Sequence, residues 1–304
     1  MKKPLLICVV GPTAIGKTSL AIAIAKAFTT EIISADSRQF FAEMTIGTAV
    51  PTAEELAAVP HHFIQNKSIF EPYSVGEFER EAIQKLEELF QQHEVVVIAG
   101  GSGLYVDAVV NGLDSFPDIA SEIRTQLNAE YEIHGIEPLQ KELEQVDPSY
   151  FDKVDIHNAH RLIRALEVYR SSGKPYSSFL KKNNTQRNFE VLYIGLTAER
   201  ATIYKRINKR VDEMIANGLV QEAEDLYPNK ALNALQTVGY QELFQFFEGR
   251  LKLEQAIEEI KKNTRRFAKR QLTWLRKNEM IHWFDYQETE NEIISFIKEK
   301  KSYK

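Results

Sequence analysis

Apolar residues along the chain follow two periods. LLICVV from Leu5 to Val10 and VVVIA at 95–99 are continuous apolar runs too short for helices. Runs of this kind read as strands buried on both faces. EIISA at 31–35, VLYIGL at 191–196 and the segment 281–284 read as further strands, the first ending at Asp36. Helical spacing occupies 18–28, 75–92, roughly 198–227, 253–277 and 288–300. Strands alternating with helices predict an α/β fold, a parallel sheet flanked by helices on both faces. From about 114 the pattern changes. DSFPD is turn-like, and 114–188 carries helical spacing without a buried strand. The expected organisation is a core of 1–113 and 189–304 interrupted by a helical insertion at 114–188. The polar stretch Asn183-Asn184-Thr185-Gln186 is too short to count as low complexity, and no internal repeat is present.

Composition narrows the class without naming an activity. The 304 residues suffice for a large core, and 43% hydrophobic with 27% charged residues is ordinary globular usage. A single cysteine, Cys8, excludes an internal disulfide, and no Cys/His cluster has zinc spacing. A reducing, cytoplasmic compartment is the expectation. MKKPLLICVVG has an apolar run of six residues that leads into a glycine loop, which suits a buried strand better than a signal peptide. No segment is long and apolar enough for a membrane span. A net charge of −5 argues mildly against a nucleic-acid partner.

A global sum hides a local patch, however. Residues 261–277, KKNTRRFAKRQLTWLRK, hold eight Lys/Arg and no Asp/Glu. Lys262, Arg266 and Arg270 follow at i, i+4, i+8, as do Lys261, Arg265 and Lys269. Like charges stacked in this way destabilise an isolated helix, and a polyanion would relieve the repulsion. A merely solvated basic face is the alternative. Phe267 and Trp274, seven apart, read as core anchors rather than base-stacking platforms.

Candidate chemistry begins at residues 11–18, GPTAIGKT. Gly11, Gly16, Lys17 and Thr18 fit the pattern G-x-x-x-x-G-K-[ST] between a strand and a helix. In such a loop the glycines let the backbone curl, successive N–H groups point inward at an anion, and the helix N-terminus adds partial positive charge; the candidate anion-binding residues are Gly11, Pro12, Thr13, Ala14, Ile15, Gly16, Lys17 and Thr18. Lys17 would reach an outer phosphate, and the Thr18 hydroxyl would ligate Mg2+. The loop implies a diphosphate or a triphosphate without saying which. Kinases and ATPases with this loop carry an apolar strand ending in an Asp that holds Mg2+. Here VVVIA ends in GGSG, with no carboxylate. The other candidate is Asp36, at the carboxyl end of its strand, where open α/β sheets bind ligands. It serves Mg2+, acts as a base beside the loop, or is a turn aspartate.

GPTAIGKT (11–18), SADSRQ (34–39), IGTA (46–49), PHH (60–62), GGSGLY (100–105), RLIRALEV (161–168), VGYQE (238–242) and TRRFAKRQLTWLRK (264–277) occur in this order. Together they span nearly the whole chain, which resembles the bacterial tRNA dimethylallyltransferases, also called isopentenyltransferases. The resemblance implies a P-loop kinase-like fold that grips dimethylallyl diphosphate instead of an NTP. It implies transfer of the prenyl group to N6 of adenine 37 in tRNA, with Mg2+ as cofactor, in a cytoplasmic monomer with no membrane association. Asp36 is then the base, Thr13 lies near the reacting groups, and Arg210 in RVDEM stabilises the departing diphosphate. The tRNA contacts implied are Asp36, Ser37, Arg38 and Gln39; Ser102; Arg124; His160, Arg161, Leu162, Ile163 and Arg164; and Gln236, Thr237, Val238, Gly239, Tyr240 and Gln241. Leu162, Leu166 and Tyr169 are expected to face the core.

Some positions depart from the family pattern. Phe41 stands where many relatives have tyrosine, Thr45 where an aspartate is common, and Val50 where a lysine is common. Ile15 replaces a small residue within the phosphate loop. In DIHNAHR (155–161), Asn158 replaces an aspartate. His61 and His62, adjacent on a strand, point to opposite faces, so no metal role is assigned to them. Two other readings of the same loop remain. One is a small-molecule or nucleotide kinase with the insertion as a lid. The other is an RNA-binding NTP switch without covalent chemistry.

Overall fold

The computed structural model describes residues 3–180 and 186–302; Asn183, Asn184 and Thr185 of the polar stretch lie outside them. The order of elements is β1 (Leu5–Val10), α1 (Lys17–Phe28), β2 (Ile32–Ser34), α2 (Ala53–Ala58), β3 (His61–His62), α3 (Val75–Leu89), β4 (Val95–Gly100) and α4 (Gly103–Asn111). Next come α5 (Ser121–His134), α6 (Glu137–Val146), α7 (Pro148–Phe151) and α8 (Ala159–Ser172). The chain continues through β5 (Glu190–Thr197), α9 (Arg200–Ala216), α10 (Leu219–Leu226), α11 (Tyr240–Phe247), α12 (Leu253–Leu275), β6 (Ile281–Asp285) and α13 (Glu290–Ser302). The contacts divide it into two compact units, Met1–Val110 with Gln186–Lys304, and Asn111–Thr185.

The first unit is built on a six-stranded sheet in the order β3-β2-β4-β1-β5-β6, every pair parallel. Alternate residues of β1 feed different layers. Leu5, Ile7 and Val9 pack with Ile24 of α1, Ile207 of α9 and Ile297 of α13. Leu6, Cys8 and Val10 pack with Phe78 and Leu86 of α3 and Val106 of α4. Burial on both faces is why LLICVV has no polar position. Two of the helices start where side chains take up their free N–H groups. Ser74 and Glu77 form a reciprocal cap on α3, and Thr52 and Glu55 one on α2; such caps contribute about 1 kcal/mol each. A third apolar cluster, including Met44, Val211, Leu219, Tyr240 and Ile260, joins α9 through α12.

Order in the sheet sets the site. The chain leaves β1 for β2 across β4, and leaves β4 for β5 across β1. The connections therefore diverge between β1 and β4, opening a crevice at their carboxyl ends. Gly100 closes β4 against β2: a Cβ there would overlap the Ala35 carbonyl.

One expectation about the elements needs correction. The single helix expected over 198–227 is two, α9 and α10, broken at Gly218, which takes φ +102°. Side chains avoid that conformation and glycine does not, so the helical apolar spacing continues through a bend that periodicity cannot register. The histidine pair lies on a strand as expected, the short edge strand β3. There His62 Nε2 lies 2.6 Å from Glu31 Oε2 and His61 Nδ1 2.8 Å from the Val59 carbonyl oxygen.

The second unit is helical. Leu127 of α5, Leu139 and Leu143 of α6, and Leu162 and Leu166 of α8 make its core. Asn158 caps α8, its Oδ1 accepting from the Arg161 amide, so the substitution of aspartate keeps the helix start. No described helix of either unit is long and apolar enough to cross a membrane.

Candidate active site

The segment between β1 and α1 wraps into a cradle. Gly11 has φ +151° and Gly16 +111°, and Ala14 at the crest takes +62°, a conformation uncommon for a residue with a Cβ. Ile15 turns inward and is buried, against Gly11; the larger residue serves the core beneath the loop. A wide cavity opens over this cradle. It is lined by residues 13–18, by Asp36, Ser37, Arg38 and Gln39 beyond β2, by Gly47, Thr48 and Ala49, and by Gly100. Arg206 and Arg210 of α9 line it too, as do Thr237, Val238 and Gly239, and Phe267 and Gln271 of α12.

Charge in the cavity runs opposite to the whole chain. Lys17, Arg38, Arg206, Lys209 and Arg210 face Asp36 and Glu213, five cations against two anions. Lys17 Nζ donates to the Pro12 carbonyl at 2.8 Å. Burial lowers its pKa to about 8, partly offset by the carboxylate of Asp36 and reinforced by the cation of Arg210. Burial likewise lowers Arg210 and Arg38, each opposed by Asp36. Lys17, Asp36 and Arg210 thus form one electrostatic group. Arg206 braces the loop from outside, its Nε donating to the Ala14 carbonyl at 2.7 Å. Asp36 is half-buried, and its Oδ1 accepts from the Arg38 amide at 3.1 Å. The turn role and the place beside the lysine are therefore both real. Val211, Met214, Leu219, Val238 and Ile260 give the same cavity an apolar wall.

Several residues of the implied tRNA set are buried or engaged within the protein. Tyr240 is fully buried, and its hydroxyl donates to Glu222 Oε1 at 2.6 Å. The two Glu222 oxygens also accept the amides of Thr45, Ile46 and Gly47. One carboxylate thereby shapes the IGTA loop, and Tyr240 closes it. A Cβ on Gly47 would lie 2.6 Å from the Tyr240 hydroxyl. Gly47→Ala is accordingly expected to cost about 1–3 kcal/mol of stability by overpacking, read as a fall in the urea midpoint at unchanged slope. In the second unit Leu162 and Ile163 are buried, while His160 and Arg161 are exposed. Arg164 pairs with the buried Glu167 and stacks over Phe116, and Arg124 lies 3.3 Å from the same glutamate. Ser102 accepts from the Ser37 amide at 3.3 Å.

Phe267 and Trp274 are not core anchors. They are 39% and 42% exposed. The buried stripe of α12 runs through Ala256, Ile260, Ala268, Gln271 and Leu275. Between the large Ile260 and Leu275 the stripe narrows to Ala268 and Gln271, where the helix passes over the loops after β1 and β4. Trp274 lies on Gly103 and donates to Asp107 at 2.8 Å. The basic run is partly neutralised by the protein itself, Lys261 by Asp212 and Lys262 by Glu259. Arg266, Lys269, Arg270 and Lys277 remain together around Thr273 and Trp274 in a shallow basic groove.

Arg206, Glu222 and Gln271 escaped the reading of the sequence. Arg206 sits one helical turn before Arg210, which is a visible signal. Gln271 is a polar residue in the phase of an apolar stripe. Glu222 carries no local signal, because its partners lie far along the chain.

The family model described as IPP transferase matches residues 39–278. The chain is 60% identical over 295 residues to a tRNA dimethylallyltransferase of Christiangramia forsetii, covering 97% of this chain and 98% of the other. It is 45% identical to tRNA dimethylallyltransferase 1 of Bacteroides fragilis, over 96% and 97%. Among solved structures, the full-length tRNA isopentenylpyrophosphate transferase of Bacillus halodurans superposes with a TM-score of 0.73 at 37% identity, covering 99% of each chain. A eukaryotic dimethylallyltransferase acting on tRNA shares the fold, with a TM-score of 0.85 at 23% identity over 99% of this chain and 80% of the other.

Proposed function

The chain belongs to the IPP transferase family, and from that membership we propose that it transfers the dimethylallyl group of dimethylallyl diphosphate to N6 of adenine 37 in tRNA, releasing diphosphate. It is a tRNA-modifying prenyltransferase, as its relatives are by name. The observation that carries the finer reading is the pairing of a phosphate cradle with Asp36 and an apolar wall in one cavity, while β4 ends in glycines with no acid for a nucleotide-bound metal. A prenyl chain needs the apolar wall; a ribose and base would need hydrogen-bonding partners there.

In the proposed reaction the allylic C1–oxygen bond breaks and negative charge grows on the leaving diphosphate. The amides of the cradle, Lys17 and Arg210 stabilise that charge. The adenine N6 lone pair, delocalised into the ring, forms the new bond to C1. Asp36 receives the N6 proton as that bond forms, and Thr13 stands at the edge of the cradle beside the reacting atoms. Thr18 lines the cavity, and its hydroxyl is the kind of oxygen ligand that magnesium takes together with phosphate oxygens and water. Bound there, Mg2+ would neutralise part of the diphosphate charge. The target base must leave its stack, at a cost of a few kcal/mol. The groove of Arg266, Lys269 and Arg270 supplies sequence-independent attraction for the RNA backbone.

Incubating the full chain with Mg2+, labelled dimethylallyl diphosphate and a tRNA bearing adenine at position 37 is expected to place label on that base. Folded protein that leaves the RNA unlabelled would refute the reading. ATP consumption without tRNA would favour a kinase instead.

A further inference from the structure

Gln271 is the polar member of the buried stripe of α12 and is only 8% exposed. Its two amide atoms are both used. Oε1 accepts from the Thr13 amide at 2.9 Å, and Nε2 donates to the Gly101 carbonyl at 2.9 Å. A Cβ on Gly101 would overlap the Gln271 amide, so the glycine is what admits the side chain. Ser102, the next residue, accepts from the Ser37 amide at 3.3 Å, and its hydroxyl lies 3.2 Å from that of Ser37. Ser37 follows Asp36. A continuous path of short contacts therefore joins the phosphate cradle to the segment carrying the candidate base: Thr13, Gln271, Gly101, Ser102, Ser37.

The two ends of that path belong to different strands, β1 and β2, with β4 between them. Backbone pairing fixes the strands, but the loops beyond their ends have no ladder to set their spacing. One glutamine bonded to two of these loops does set it. The Thr13 amide is also turned toward Gln271, and this orients the threonine next to the cradle.

We infer that Gln271 is a positioning residue, which holds the leaving-group loop and the Asp36 segment at the separation that prenyl transfer requires. The inference rests on the prenyl-transfer reading above. It makes Gln271 matter for the rate of transfer rather than for capture of diphosphate, because the remaining cradle amides, Lys17 and Arg210 make no bond to it.

The test uses the full chain with Gln271→Ala and with Gln271→Met, the second retaining side-chain volume without either hydrogen bond. Three quantities are measured: the thermal midpoint, the dissociation constant for inorganic pyrophosphate by calorimetry, and the transfer rate at saturating donor and tRNA. Wild-type protein is run first; no transfer there defeats the functional reading itself, before any variant is considered. With transfer established, both variants are expected to lose about 10- to 100-fold in kcat, as misplacement of about an ångström does. Pyrophosphate affinity stays within about threefold. A Gln271→Met protein that melts lower but transfers within about twofold of wild type has lost only structural support, and overturns the inference. So does a fall in pyrophosphate affinity as large as the fall in kcat, which would assign Gln271 to gripping the leaving group.

Discussion

Asp36→Asn is expected to lower the transfer rate by about 10²- to 10⁴-fold, the range for removing a general base, while leaving pyrophosphate binding intact or tighter. The amide keeps the size of the carboxylate and can still accept from the Arg38 amide, so the turn beyond β2 persists. What is lost is a charge able to take the N6 proton. The same charge faces Lys17 and Arg210, so its removal leaves the cradle more positive and does not weaken an anion. It also removes the influence that raises the Lys17 pKa, and the alkaline limit of pyrophosphate binding should move to lower pH. Single-turnover transfer and calorimetric titration separate the two effects. A variant turning over within about threefold of wild type would remove Asp36 as the base.

Lys17→Met should have the second largest effect, and its signature is pH. Loss of one buried donor aimed at developing charge costs about 10²- to 10³-fold, here expected in kcat/KM because both the bound diphosphate and the departing one use the ammonium. In the free protein burial holds the Lys17 pKa at about 8. The sign follows directly. Below that pH the amine is charged and the diphosphate site is complete. Above it the neutral amine predominates, and binding weakens by up to about tenfold per pH unit, with a proton taken up as the anion binds. Pyrophosphate titrations between pH 7 and pH 9 should show that fall in wild type and a flat, weak profile in Lys17→Met. Equal slopes in the two proteins would place the titrating group elsewhere.

Much of this was legible in the residues, for reasons that differ by element. β1 and β4 announce themselves because strands buried on both faces have no polar position. The curled loop at 11–18 is legible because a strand, a glycine loop and a helix are contiguous, so the motif and its geometry share one stretch of chain. Asp36 could be placed at a strand end, but its choice between turn and base could not be made from neighbours alone. Trp274 and Phe267 were misassigned for a related reason. Amphipathic spacing identifies a helix face, yet it does not say that the buried face will be made of Ala268 and Gln271 because loops approach it closely.

The sequence by itself determined the alternating β/α order, the helical insertion, the glycine loop at 11–18 and the basic run at 261–277. These depend on contacts within a few residues, which period and spacing record. Only the tertiary structure decided that the buried Tyr240 joins Glu222 in shaping the IGTA loop, that Lys17, Asp36 and Arg210 form one electrostatic group, and that Gln271 bridges two loops. Each of those depends on residues tens to hundreds of positions apart. Their proximity follows from strand order in the sheet, which no local pattern encodes, and from burial, which sets both their partners and their charge.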